Sequence, residues 1–280
     1  MKRILVPIDF SEASLNSLEY AVKVGSRQKS VITLLHVFTE YEFNRILYQA
    51  DDINERFDKA KARIEEKLKV LANEIMASTR SAGVAGVESV VKTGELIGGI
   101  AHYVKEEKQN LVIMGTTGVS DMVEQYVGSN TERVIEEVEC PVICVSHGAS
   151  VNSIRKVVYA SDYSEEDKIA INFLIAFAEP FGAEVHVVHV TDENNLIVKA
   201  EYEDFKQQMN TFVEYSALQY HLVVLEEDTE VAINTFMMKE NADMLMLLRK
   251  HQNFFTRLFT KSVTKRMSYF TDYPLMIMKM

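Results

Sequence analysis

The stretch Met114–Ser129, MGTTGVSDMVEQYVGS, decides how the rest of the chain is interpreted. It follows a short apolar run, Leu111–Met114, that stops at Gly115, and it precedes a helical pattern that closes at Pro141. This order predicts a strand, a glycine-containing loop and the start of a helix. Glycine tolerates positive φ and lets a ligand approach the backbone, so the stretch predicts a binding loop.

The pair that closes this loop, Gly128 and Ser129, suits an anion. The free N–H groups and the positive dipole end of the next helix would face this pair, which favours a phosphate-bearing ligand. The alternative is that Ser129 only caps the helix, because residues 129–132, SNTE, form a capping-box sequence. Capping alone would not require Gly115 and Gly118.

The spacing of the loop, Gly-x2-Gly-x9-Gly-Ser, excludes two common phosphate loops. No Gly-Lys-Ser or Gly-Lys-Thr follows, so it is not a Walker A loop. The dinucleotide fingerprint needs Gly-x-Gly-x-x-Gly after the first strand, whereas this loop follows what the pattern indicates is the fourth.

Composition limits the class of protein. The chain has 280 residues, of which 47% are apolar and 25% charged, enough for two folded domains. The net charge of −11 argues against broad binding to nucleic acid or to an anionic membrane. The first residues lack the apolar core of a signal peptide and no apolar run approaches a membrane span. We therefore expect a cytoplasmic protein.

The two cysteines, Cys140 and Cys144, flank a strand-like run. A redox or metal role is one interpretation, and buried thiols beside a strand are the commoner one. Two ligands alone do not make a structural zinc site, and we predict no protein metal site.

Strand-like runs and amphipathic helical patterns alternate through the first half of the chain. The pattern predicts five strands and four helices, which is typical of an open α/β sheet. The runs predicted as strands are Ile4–Ile8, Val31–Val37, Val87–Val91, Leu111–Met114 and Val142–Ser146.

The pattern then restarts, which predicts two tandem copies of one fold. Asp9 and His36 match Asp162 and His189, both at an offset of 153 residues. Near the end, CPVI at 140–143 matches YPLM at 273–276 at an offset of 133, so the second copy is shorter, mainly in its second helix. We predict domains at 1–148 and 151–280.

These features resemble the universal stress protein family. The first copy has an aspartate after the first strand, His36-Val37 at the end of the second, and the complete glycine loop. The resemblance implies, for each copy, a parallel five-stranded sheet of order 3-2-1-4-5, Rossmann-like and flanked by helices. It also implies ATP or AMP, with any Mg²⁺ held by the phosphates, at the carboxyl edge of the sheet.

The resemblance implies roles for single residues. Asp9 would contact the adenosine part, although it is otherwise an ordinary turn aspartate, and the backbone of Val37 would read the adenine edge. The implied nucleotide-binding residues are Pro7, Asp9, Val37, Met114, Gly115, Thr117, Gly118, Gly128, Ser129 and Asn130. We name no catalytic residue, and the recurring histidines fit a structural role better.

The second copy departs from the family pattern in its loop. Residues 247–262 contain no glycine, so side chains would fill the space that ribose and phosphates need. We predict that this copy does not bind ATP in the same way. Its phenylalanine cluster at 254–259 would either cover the vacated pocket or form an interaction patch.

Two functions follow from the sequence. The first is an adenine-nucleotide-binding regulatory protein of the stress response, with a binding N-terminal domain and a structural C-terminal domain. The loop shows no convincing general base or transition-state arginine, so weak ATP hydrolysis is the most that we expect. The second is a nucleotide-independent scaffold for dimerisation and docking of an unknown protein partner. Either protein would imitate a dimer within one chain, and a homodimer is a further option.

Overall fold

The computed structural model describes residues 2–39, 53–79, 83–116, 129–146, 149, 153–224, 228–249 and 273–280. The described chain divides into two units, with the break between Ser146 and Ala149. Unit 1 is the N-terminal one and unit 2 the C-terminal one, and each is described by itself. The exact predicted limits, 1–148 and 151–280, stay a proposal.

Unit 1 is built on five parallel strands. They are β1 (Arg3–Pro7), β2 (Val31–Phe38), β3 (Gly86–Thr93), β4 (Leu111–Thr116) and β5 (Val142–Ser146). Their order across the sheet is β3-β2-β1-β4-β5, and every adjacent pair is parallel. The predicted α/β class and the strand order 3-2-1-4-5 are therefore confirmed for this unit.

The central strands of unit 1 form its core. Strand β2 is buried at all eight positions, which is expected for a parallel sheet covered by helices on both faces. Leu5 and Val6 of β1 and Val112 and Ile113 of β4 are fully inaccessible to solvent. Pairing of β1 with both β2 and β4 places the carboxyl ends of these three strands side by side.

Four helices of unit 1 are described: α1 (Glu12–Gln28), α2 (Ile53–Thr79), α3 (Leu96–Glu106) and α4 (Ser129–Glu137). Helix α1 is capped by Ser11, whose hydroxyl accepts a hydrogen bond from the Ser14 N–H at 3.2 Å. It ends at Lys29, whose left-handed backbone closes the helix. The sequence between β2 and β3 has a mostly helical pattern from about residue 44 to 79, and the structure describes the part from Ile53 onward.

Unit 2 repeats the architecture. Its strands are β6 (Lys156–Ser161), β7 (Glu184–Thr191), β8 (Leu218–Val224), β9 (Met244–Arg249) and β10 (Leu275–Lys279). They are parallel and follow the order β8-β7-β6-β9-β10, the same 3-2-1-4-5 pattern. The helices described in this unit are α5 (Asp167–Ala178), α6 (Leu196–Phe212) and α7 (Thr229–Glu240), with a short 3₁₀ turn at Glu179–Phe181.

The offsets read from the sequence hold for whole elements. Strand β2 maps onto β7 at the offset of 153, and β4 and β5 map onto β9 and β10 at 133. The second helix is 27 residues long in unit 1 and 17 in unit 2. The described second helix therefore accounts for ten of the twenty residues by which the second copy is shorter (27 − 17 = 10, against 153 − 133 = 20).

No helix in the described ranges is long and apolar enough to cross a membrane.

Candidate functional site

A cavity of about 430 Å³ opens at the carboxyl end of the unit 1 sheet. Its floor is formed by the ends of β1, β2 and β4, and its walls by the first turn of α1 and the starts of α3 and α4. This position, beside the central strand where the order of connections reverses, is where open α/β sheets bind ligands. The volume lies in the range of small-molecule sites, about 300–1,000 Å³.

The turn after β1 is strained and carries the aspartate. Phe10 has a positive φ of 63°, which is uncommon for a bulky residue. The preceding Asp9 is exposed, and its Oδ1 accepts a hydrogen bond from the Ser11 N–H at 2.9 Å. Partial desolvation would raise the pKa of Asp9, but hydrogen bonds from Ser11 and Ser14 outweigh it and hold the pKa below its ordinary value. The site therefore offers an ionised acceptor at neutral pH.

The recurring histidines tie the first two strands of each unit together. His36 Nδ1 donates to the Ile8 carbonyl at 2.7 Å, and His189 Nδ1 donates to the Ser161 carbonyl at 2.9 Å. Both bonds hold the backbone just before the aspartate of their unit. This main-chain contact matches the structural role expected for these residues.

Gly115 is required by packing. A Cβ added there would lie 2.2 Å from the carbonyl oxygen of Ala13 and 3.0 Å from the Ser14 nitrogen. The first turn of α1 therefore packs directly on the end of β4, and no side chain fits between them. The sequence-based explanation, access of ligand to the backbone, did not foresee this close approach.

An ion pair connects the starts of α3 and α4, which form one wall of the cavity. Glu95 caps α3 by accepting the Gly98 N–H at 2.6 Å, and Arg133 of α4 pairs with the same carboxylate at 3.2 Å. The Gly98 hydrogen bond is the main cause that lowers the pKa of Glu95. Leu96 and Ile100 of α3 line the cavity beside this cap and supply its apolar surface.

Helix α4 begins at the predicted place, with Ser129 as its first residue. Asn130 and Thr131 line the cavity, Asn130 exposed and Thr131 almost fully buried. The amino end of this nine-residue helix is thus on the same side as Asp9 and the end of β4. Free N–H groups at such an end attract anions.

Of the ten predicted binding residues, the structure brings six around one cavity. These six are Pro7, Asp9, Val37, Met114, Gly115 and Asn130. Ser129 starts α4, and its side chain lies outside the described part of the structure, as do Thr117, Gly118 and Gly128. Contact of these residues with a nucleotide stays a prediction.

Several lining residues were not predicted from the sequence: Ser11, Ser14, Thr39, Leu96, Ile100 and Thr131. Two of them could have been predicted from the sequence as a pair, because Leu96 and Ile100 are four residues apart and therefore lie on the same face of a helix.

Unit 2 has a smaller counterpart, a cavity of about 180 Å³. Asp162 lines it at the position of Asp9, and Leu248 lines it at the position of Gly115. The part of the divergent loop from residue 250 onward, with its phenylalanine cluster, lies outside the described residues. Tyr163, which follows Asp162, repeats the positive φ of Phe10, at 61°.

The cysteines carry no sign of reactivity. Cys144 is buried and Cys140 is partly buried, both are free thiols, and burial raises the pKa of each to about 12. Within the described ranges, no group of three or more histidine, cysteine or acidic side chains could hold a metal ion.

Comparison with known proteins supports the fold and identifies the family. The universal stress protein YxiE of Bacillus subtilis is 30% identical over 151 residues, 51% of this chain and 97% of the relative. Universal stress protein MJ0531 of Methanocaldococcus jannaschii is 25% identical over 146 residues, 51% of this chain and 81% of the relative. The structure of a universal stress protein from Archaeoglobus fulgidus covers 99% of this chain and 96% of its own, with a TM-score of 0.74 at 22% identity, so the fold is shared.

The family model for the universal stress protein family matches twice, over residues 1–146 and 153–279. Both matches coincide with the two units of the structure. The chain therefore belongs to the universal stress protein family, as a tandem two-domain member.

Proposed function

We propose that unit 1 binds an adenine nucleotide, ATP or AMP, and that the protein acts as a nucleotide-responsive regulator of the stress response. The observation that carries this proposal is the cavity of about 430 Å³, which places an ionised aspartate, apolar surface and a helix amino end around one space. A nucleotide needs these three environments for its sugar, base and phosphates.

Each part of the ligand has a matching surface. The base would lie against Leu96 and Ile100, next to the Val37 backbone. The ribose hydroxyls would donate to Asp9, whose pKa is held low and which therefore accepts hydrogen bonds as a carboxylate. The phosphates would face the first turn of α4, with any Mg²⁺ held by the phosphates.

Unit 2 supports the proposed division of roles. Leu248 stands where unit 1 has Gly115, and the cavity is less than half as large. We propose that this unit does not bind ATP as unit 1 does. The proposed cytoplasmic location, the protein partner and a homodimer are further parts of the same hypothesis.

The competing function, a scaffold that needs no nucleotide, is tested by the experiment that follows.

We expect Asp9→Ala to weaken ATP binding by about 10- to 100-fold, because a hydrogen bond to a charged group contributes roughly 1.5–3 kcal/mol. Isothermal titration of nucleotide-free protein measures the affinity. The matched control is Asp58→Ala, which removes an exposed aspartate of α2 outside the cavity. Equal affinities for Asp9→Ala and the control would contradict the role of Asp9, and no ATP binding by the unmodified chain would favour the scaffold.

A further inference from the structure

Two histidines of unit 2 face each other across neighbouring strands, and neither lines the cavity described for this unit. His186 lies on β7 and His221 on β8, and the strand register sets His221 opposite Val188. Side chains two residues apart share a face of a strand, so both histidines lie on the same face of the sheet. Their rings are stacked, with planes 4° apart in angle and centroids 4.9 Å apart. Two titratable groups are therefore in direct contact.

The hydrogen bonds of the pair suit neutral rings. His186 is 1% exposed, and its Nε2 donates to the Glu184 carboxylate at 3.0 Å. Its Nδ1 is buried and has no hydrogen-bond partner among the described residues, and the same holds for Nε2 of His221. A protonated imidazole carries two N–H donors. Protonation of either ring would therefore bury a donor without an acceptor, which is unfavourable.

Helix α7 covers the pair but leaves one ring within reach of solvent. The ring of Phe236 lies 4.8 Å from that of His221 and 6.2 Å from that of His186, measured between centroids. His221 is half-buried and lines a surface cavity of about 410 Å³, through which protons can reach it. Burial lowers the pKa of His221, and a positive charge on His186 lowers it further. The two rings therefore do not take up protons independently.

The charged side chains that face the pair balance each other at neutral pH. They are Lys156 of β6, Glu184 of β7, and Lys239 and Glu240 of α7. The Lys156 Nζ lies 3.7 Å from the Glu184 carboxylate and 3.3 Å from that of Glu240. Two positive and two negative groups thus surround the neutral rings. Protonation of both rings would leave the cluster with an excess of two positive charges.

Unit 1 has the matching strands without this pair. At the offset of 153, Thr33 stands in place of His186. The register of β2 with β3 puts Val90 opposite Leu35, as the register of β7 with β8 puts His221 opposite Val188. Neither threonine nor valine titrates, so the β2–β3 pair of unit 1 serves as an internal control for the β7–β8 pair.

We propose that the His186–His221 contact is an acid-sensitive switch, which holds the edge strand β8 on β7 at neutral pH and releases it when both rings are protonated. Strand β8 is at the end of the strand order and pairs with β7 alone in the described sheet, so it can separate without breaking another pair. Once separated, both rings take up protons near the ordinary histidine pKa of about 6.5. The pairing of β8 is therefore fully stable above this pH and is weakened as the pH falls through it. Unit 2 would respond to acid whether or not unit 1 holds a nucleotide.

Hydrogen exchange of the full chain, read in peptides over residues 218–224 and 86–93, tests this proposal. Each exchange rate is divided by that of an unstructured peptide at the same pH, which removes the direct effect of pH on exchange. From about pH 7.5 to about pH 5, the protection of the β8 peptide is expected to fall at least about fourfold. Two unit charges about 5 Å apart give this factor even in water. The β3 peptide is expected to keep its protection.

His221→Phe keeps a ring against Phe236 and removes the titrating group. It should retain protection of β8 at neutral pH and lose most of the acid effect, and His221→Gln provides a second neutral variant should the first not fold. The matched control is His102→Gln, which removes an exposed histidine of α3 and should leave the acid effect unchanged. Contributions of other groups, such as Asp167, cancel between variant and unmodified chain.

Two results would overturn the proposal. The first is a loss of protection on acidification that is no larger in β8 than in β3 of the unmodified chain. The second is an acid effect in His221→Phe or His221→Gln as large as in the unmodified chain, since the repulsion requires both histidines.

Discussion

Gly115→Ala is expected to lower the free energy of unfolding of unit 1 by about 3 kcal/mol, at the upper end of the usual cost of overpacking. The added methyl group would lie 2.2 Å from the backbone oxygen of Ala13, and backbone cannot rotate away as a side chain can. Either α1 or the end of β4 must shift. Calorimetry of the full chain measures the effect as a lower melting temperature of one transition.

The matched control is Gly86→Ala in β3. A Cβ there meets only the Val31 side chain, at 3.8 Å, which is an ordinary contact. Alanine in a strand is up to about 1 kcal/mol more favourable than glycine, so this variant is expected to be neutral or slightly stabilising. If Gly115→Ala and Gly86→Ala had the same melting temperature, the described packing of α1 on the end of β4 would be contradicted.

Asp167→Ala is expected to destabilise unit 2 by roughly 3 kcal/mol. The side chain accepts hydrogen bonds from Tyr159, Ser161 and Ser164, and alanine would leave the buried Tyr159 hydroxyl without this partner. Asp167→Asn keeps an acceptor oxygen and adds a donor, so its cost should be much smaller. Equal melting temperatures for the alanine and asparagine variants would contradict the importance of this network.

The same residue predicts a dependence of stability on pH. Burial is the main cause that raises the pKa of Asp167 in the folded state. An aspartate in the unfolded chain has a pKa of about 3.9, and below that pH Asp167 is protonated in both the folded and the unfolded chain. As the pH rises above it, the unfolded chain releases this proton first. The Asp167 contribution to stability therefore falls as pH rises through the folded pKa. The free energy of unfolding is measured against pH for the unmodified chain and for Asp167→Asn, and the difference between the two curves isolates the Asp167 contribution. If the unmodified chain gained stability relative to the variant as pH rises, the predicted direction would be contradicted.

Most of the fold could be predicted because apolar runs mark the buried strands. The predicted range of β5, Val142–Ser146, is the observed one, and the other unit 1 strands were placed to within two residues at each end. The two tandem copies could be recognised in the sequence because matching residues are separated by the same number of positions. The strand order came from the family resemblance, because apolar patterns do not say which strands are neighbours.

The site was predictable only where a residue has a recognisable position. Asp9 and Asn130 could be placed because they directly follow a strand or begin a helix. The positive φ of Phe10 was not foreseen, since bulky aromatic residues rarely adopt it. Asp167 was missed because the replacement of Ser14 by an aspartate leaves no motif, and its burial depends on hydroxyl groups from a neighbouring strand.

The stoichiometry of ATP binding tests the central claim, one nucleotide site in unit 1. Freshly purified chain is denatured to identify any released nucleotide by mass spectrometry, and stripped chain is then titrated with ATP and Mg²⁺. We predict one equivalent per chain, lost in Gly128→Val, whose side chain would obstruct the approach of the phosphates. Two equivalents would contradict the exclusion of ATP from unit 2, and no binding at millimolar ATP would contradict the nucleotide site itself.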